Sequence, residues 1–170
     1  AHSIQVEIDL IRRLPCITIV GLPGSAVRES ADRVRSAIQQ SGFEFPRKRV
    51  VINLAPANLK KNGSLFDLPI AIGILQAAGI VPHAATKNTL FVGELSLSGK
   101  LRPVAGAISM AMLTNQLQLR AIALPKANVS EASIVDDIRI HGFSTLREVI
   151  EWLLGGEAPP AAELTSVPPP

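Results

Sequence analysis

Apolar and polar residues alternate over residues 3–9 (SIQVEID), putting Ile4, Val6 and Ile8 on one face, and that period of two predicts a strand. Arg12-Arg13 mark a turn, and 15–20 (PCITIV) reads as a second strand. The run from Gly21 to Gly24, with Pro23 inside it, breaks that strand. Ser25 stands where an N-cap belongs. The period then changes: Val27, Ala31, Val34 and Ile38 recur at helical spacing, with Arg28, Asp32, Arg35 and Gln39 on the water-facing side. Gly42 sits at the C′ position that ends such a helix. A third strand follows at 49–55 (RVVINLA), and Pro56 stops it.

Asp67 reads as the cap of a helix from Leu68, with Pro69 in a first turn that has no use for its missing N–H. This helix is apolar almost all round, so Leu68, Ile70, Ile72, Ile74 and Leu75 are expected in the core. Residues 90–97 and 100–104 flank Ser98-Gly99, a hairpin signal. A helix at about 107–116, a strand at 120–124, a short helix near 128–135 and a strand at 137–143 come next. Ser144 then caps a final helix ending before Gly155-Gly156. Strands first, then strands alternating with helices, predict an α/β (α+β) layered domain over residues 1–156. From Glu157 to Pro170 the Pro/Ala/Glu-rich composition predicts a disordered linker.

Composition agrees with one globular domain: of 170 residues, 47% are hydrophobic and only 4% aromatic, so the core is aliphatic. The lone Cys16 excludes an internal disulfide and fits a reducing compartment. The longest apolar stretch, residues 68–81, is shorter than the ~20 residues of a membrane span and is interrupted by Gly73 and Gln76. The alternating N-terminus lacks the basic head and apolar run of a secretory leader. A cytoplasmic protein without membrane contact is the expectation, and Ala1 in place of Met reads as a piece cut from a longer chain.

The net charge of +3 is unevenly spread. Between Arg28 and Lys61 there are eight Lys/Arg against three Asp/Glu, a local excess of five. Such a basic segment suits a polyanion, although solvated helix and strand ends account for it as well. Other chemistry is thin. GLPGSAVRES puts glycines before a helix N-terminus, but a tight turn explains both, and no G-x-x-x-x-G-K-[ST] loop occurs. His2, His83 and His141 lack metal-ligand spacing, so no metal or other cofactor is expected in this chain.

Longer motifs carry a resemblance. TIVGLPGSAVRESADRVRSAIQQSGFEFPRKRVVINLAPANLKKNGSLFDLPIAIGIL, then FVGELSLSGKLRPVAGAI, ALPKANVSEA and STLREVIEWLLG, resemble in order the N-terminal domain of the ComM/YifB family, magnesium-chelatase-like AAA+ proteins. The resemblance covers about residues 4–155 and implies a fold like the Lon proteolytic domain and the second domain of ribosomal protein S5. It implies a hexameric, ATP-driven DNA helicase for branch migration in natural transformation, with ATP and Mg bound in an AAA+ domain beyond this piece.

The Lon resemblance also marks two positions. Setting Lon's Asp-Gly-Pro-Ser turn on Asn62-Gly63-Ser64-Leu65 puts Ser64 at the proline and Leu65 at the nucleophile. Lon's Pro-Ile-Gly-Gly-Leu-Lys stretch falls on Pro103-Val104-Ala105-Gly106-Ala107-Ile108, so Ile108 replaces the lysine. A peptidase needs a nucleophile beside a base, and neither residue can serve. The expectation is a non-catalytic module of a ComM-type protein. Its DNA contacts would be weak and sequence-independent, made by Arg47, Lys48, Arg49, Lys60 and Lys61, with Arg28 and Arg35 further out. A purely structural oligomerisation domain is the alternative, ahead of a Lon-like peptidase or a magnesium chelatase subunit.

Overall fold

β3 (Arg49–Ala55) forms the middle of a first sheet, antiparallel to β1 (Gln5–Ile11) on one side and parallel to β2 (Cys16–Val20) on the other. The register lines up Ile8, Ile52 and Ile19 in one row. This computed structural model describes residues 5–11, 16–20, 24–46, 49–55 and 63–156, and side chains over 29–46 and 65–156. Arg12-Arg13, Gly21 to Pro23, Pro56 and the 157–170 tail lie outside the described residues.

α1 (Gly24–Gln40) crosses from β2 to β3, which parallel pairing requires. It begins two residues earlier than a Ser25 cap implies, so Ser25 lies inside the helix. Of its expected inward stripe Val34 and Ile38 are buried and Ala31 half-buried, while Asp32, Arg35 and Gln39 are exposed; the side chains of Val27 and Arg28 lie outside the described residues. At the far end Gly42 takes φ +89°; its N–H reaches Gln39 O at 3.1 Å, and the Phe43 N–H reaches Ile38 O at 3.2 Å. Those two bonds close the open carbonyls of the last turn.

A 3-10 turn (Gly63–Phe66) leads into α2 (Asp67–Ala77), the most buried helix. Leu68, Ile70, Ile74 and Leu75 are inaccessible to solvent and Ile72 nearly so, as the missing polar face predicts. α2 lies against α1 and β1. The cap is different from expectation. Phe66 is the N-cap without a side-chain bond, and Asp67 belongs to the helix with its carboxylate turned sideways toward α1.

The second sheet is all parallel, ordered β4 (Thr89–Phe91), β7 (Ala121–Pro125), β8 (Arg139–Phe143). Every residue of the central β7 is buried. The strand expected at 90–97 is broken. After Val92, whose N–H still bonds to Ala123 O of β7 at 3.0 Å, the chain leaves the sheet, and β5 (Glu94–Leu95) pairs with β6 (Leu101–Arg102) in the hairpin around Ser98-Gly99. The break lies at Gly93, whose backbone bonds to the 3-10 turn and α2 instead of a strand. α3 (Ala107–Gln116) matches its expected bounds, while the helix near 128–135 is a 3-10 turn (Lys126–Asn128) plus one turn of α4 (Val129–Ala132).

α5 (Leu146–Leu153) closes the structure. Its cap is Thr145, one residue beyond Ser144: Thr145 Oγ1 accepts the Glu148 N–H, and Glu148 Oε1 accepts the Thr145 N–H. Leu146, Val149, Ile150 and Leu153 complete the core that α1 and α2 begin. Among the described residues no helix is long and apolar enough to cross a membrane.

Candidate functional site

The turn before α2 is built as a backbone lock. Leu65 C=O accepts the Gly93 N–H at 3.1 Å, and Gly93 C=O accepts the Leu68 N–H at 3.0 Å. A Cβ on Gly93 would stand 2.8 Å from Leu101 Cδ2, so a larger residue there would have to push the Leu101 side chain aside. Leu65 is half-buried and packs against both apolar clusters of the domain. One of these clusters contains Ala111, three residues beyond Ile108 on α3. The loop before α3 is fixed by Asn128. Its amide accepts the Val104 N–H and donates to Val104 O, both at 2.9 Å. At the two positions marked by the Lon resemblance the side chains are thus hydrocarbon, Leu65 packed and Ile108 partly exposed. Neither carries a labile proton or a lone pair.

The polar chemistry sits beside this turn. Asp67 is fully buried and accepts from Ser30 Oγ (2.8 Å), Arg33 Nε (2.6 Å), Arg33 Nη2 (3.1 Å) and the Leu95 N–H (3.0 Å). It joins α1, α2 and β5. Burial pushes the Asp67 carboxyl above the usual carboxylate range, while Arg33, the Leu95 N–H and Ser30 pull it back. The Arg33 guanidinium is held above its own usual value, chiefly by its hydrogen bond to Asp67. Both shifts are upward, so Arg33's favours its charged form while Asp67's favours its neutral one. Two guanidinium contacts in a fork, with two further donors, are the geometry of an ionised pair. Ser30 is fully buried and Arg33 largely so, which makes this a structural clasp and not a nucleophile's setting.

Sequence reasoning missed the clasp. Its signal was Ser30 and Arg33, three apart and therefore neighbours on α1, opposite an Asp with a ready local explanation as a cap.

The basic residues are only partly placed. Arg28 and Arg35 lie two turns apart on α1, and Arg35 is exposed with its guanidinium 5.1 Å from the Phe45 ring centroid. Arg49 opens β3, level with Ile11 and Cys16. Arg47, Lys48, Lys60 and Lys61 lie outside the described residues. Seven strand residues extend ~23 Å, so Arg49 is a strand's length from the point where the chain leaves β3 toward Lys60.

Comparison with known proteins places this architecture. A family model described as "Subunit ChlI of Mg-chelatase" matches residues 6–128. The chain is 44% identical over 162 residues to the competence protein ComM of Haemophilus influenzae, covering 95% of this chain and 32% of that protein. It is 45% identical over 159 residues to YifB of Escherichia coli, covering 93% and 31%. Lon protease 2 of Syntrophobacter fumaroxidans is 24% identical over 161 residues, covering 84% and 20%. The class is a mixed α/β domain of Lon-like fold. The chain belongs to the magnesium-chelatase-like ComM/YifB family, and it spans about a third of the length of ComM and YifB.

Proposed function

We propose that this chain is a non-catalytic module of a ComM-type AAA+ helicase, contributing DNA binding and hexamer assembly to branch migration during natural transformation. The observation that carries the reading is the match to ComM over 95% of the chain. Two features of this sequence support it: hydrocarbon at Leu65 and Ile108, and the basic excess between Arg28 and Lys61. In this reading residues 1–156 are the module and 157–170 the linker toward an AAA+ domain. ATP and Mg belong to that domain; this chain has no phosphate-gripping lysine loop to hold them. The site of action is the cytoplasm.

Lys60 and Lys61 are the first candidates for DNA contact, with Arg28 and Arg35 as outer contributors and Arg47, Lys48 and Arg49 as further candidates. The ~23 Å length of β3 from Arg49 to Ala55 favours a second reading, an assembly domain whose charges never meet DNA. A titration of labelled DNA at several salt concentrations decides between them. Lys60→Ala/Lys61→Ala should flatten the log–log salt slope by about 1.4–1.8 units, the lower figure for single strands. An unchanged slope and affinity excludes these lysines, and no binding even by the assembled parent leaves the assembly reading. Casein should survive incubation with the protein, and cleavage that disappears with Ser64→Ala would refute the non-catalytic assignment.

A further inference from the structure

The three strands of the parallel sheet start level with one another. Thr89 of β4, Ala121 of β7 and Arg139 of β8 share one row of the register. Asn88 O accepts the N–H groups of Arg120 (2.9 Å) and Ala121 (3.1 Å), and Arg120 O accepts the Arg139 N–H at 2.8 Å. Lys87, Arg120 and Arg139 are therefore carried side by side on hydrogen-bonded backbone, at the rim where the strands begin. All three are exposed, and none pairs with a carboxylate among the described residues. The turns feeding this rim hold Asn88 (φ 64°), Gln118 (φ 59°) and Asp137 (φ 70°), the non-glycine residues with positive φ among those described. The exposed acids close by in the chain are Asp136 and Asp137, in the turn before β8.

Neighbouring strands lie about 4.8 Å apart, so the rim is about 10 Å across, with Arg120 one position and Lys87 two positions before the row that holds Arg139. Over that length one nucleic-acid strand presents about three phosphates, at about 3.4 Å of axis each. Exposed charges spread along a rim suit a polyanion laid across them better than a small anion, which wants enclosure. Arginine's planar fork matches phosphate oxygens in particular.

We propose that Lys87, Arg120 and Arg139 form a second phosphate-contact surface, gripping the sugar–phosphate backbone of DNA independently of base sequence. The proposal rests on the DNA-binding reading above but uses residues outside the Arg28–Lys61 segment.

The test is a salt titration of a labelled oligonucleotide, single- and double-stranded, against the 170-residue protein and its variants. Lys87→Ala/Arg120→Ala/Arg139→Ala should flatten the log–log slope by about 2.1 units for single strands and about 2.7 for duplex. The urea midpoint should stay unchanged, because the three side chains are exposed. Asp136→Asn/Asp137→Asn provides an independent arm: it removes repulsion, tolerates the positive φ at 137, and should tighten binding. Wild-type binding with an unchanged slope in the triple variant overturns this surface and leaves the Lys60-Lys61 reading intact. Absence of wild-type binding at every salt concentration overturns this surface, and absence of binding by the assembled parent as well overturns the DNA reading itself. Displacement by polyglutamate as effective as by unlabelled DNA would assign the rim to an acidic protein and overturn the proposal.

Discussion

Truncating Asp67 to alanine removes the acceptor from four donors at once: Ser30 Oγ, Arg33 Nε, Arg33 Nη2 and the Leu95 N–H. Ser30 has no exposed surface and the Arg33 side chain is only 18% exposed, so water replaces little of the lost acceptor. Removing one partner of a buried pair costs about 3–5 kcal/mol, a large share of the 5–15 kcal/mol typical of a domain. Asp67→Ala is therefore expected to lose about 3–5 kcal/mol at neutral pH by urea unfolding followed by circular dichroism. Arg33→Met should lose a similar amount, but with a different pH dependence. Its unpaired buried carboxyl has a folded-state value above the unfolded one, so the folded state holds a proton that the unfolded state releases. Stability then falls as pH rises through the folded value and recovers below it. The double variant Arg33→Met/Asp67→Leu replaces the pair by hydrocarbon and should lose clearly less than the two single losses added together. Single losses under about 1 kcal/mol, or a double loss equal to the sum, would refute the clasp as a coupled unit.

Ile72→Ala opens a cavity in the centre of α2 and should cost about 2–5 kcal/mol in the same assay; a loss below about 0.5 would mean the helix is peripheral. His141 is half-buried with its ring 4.7 Å from that of Trp152, and burial, aided by the Arg139 charge, holds its imidazole below the ordinary value. Its contribution is fully present above the unfolded value of about 6.5 and is lost as pH falls from there toward the folded value. Urea midpoints at about pH 7.5 and about pH 5.5 should separate less in His141→Phe than in the wild type, and an unchanged separation would refute the assignment.

Much of the fold was legible because its signals are local. α2 has no polar face to misread, α3 falls where its bounds were expected, and Gly42 marked the end of α1 by the one backbone conformation it favours. What escaped depends on partners far away in the chain. Asp67 has an adequate local role as a cap, and only residues 34 and 37 positions earlier give it another. The break at Gly93 follows from bonds to Leu65 and Leu68, which no period in residues 90–97 reveals. The basic run between Arg28 and Lys61 was plain as composition, which carries no information on where those residues stand in space. Lys87, Arg120 and Arg139 are the reverse case: no run announces them, and the sheet assembles them.

The last helix also sets an order of events during synthesis. α5 contributes Leu146, Val149, Ile150 and Leu153 to the cluster that holds Val34 and Ile38 of α1, and its approach is tied to the hairpin by Leu101 N–H to Ser144 O and Leu146 N–H to Gly99 O. A chain emerging from the ribosome N-terminus first therefore exposes α1 and α2 long before the residues that cover them exist. Closure must wait for position 153, across a sequence separation that makes it slow. Until then the nascent aliphatic surface is a natural substrate for a holding chaperone, and a ribosome stalled short of α5 leaves that surface uncovered.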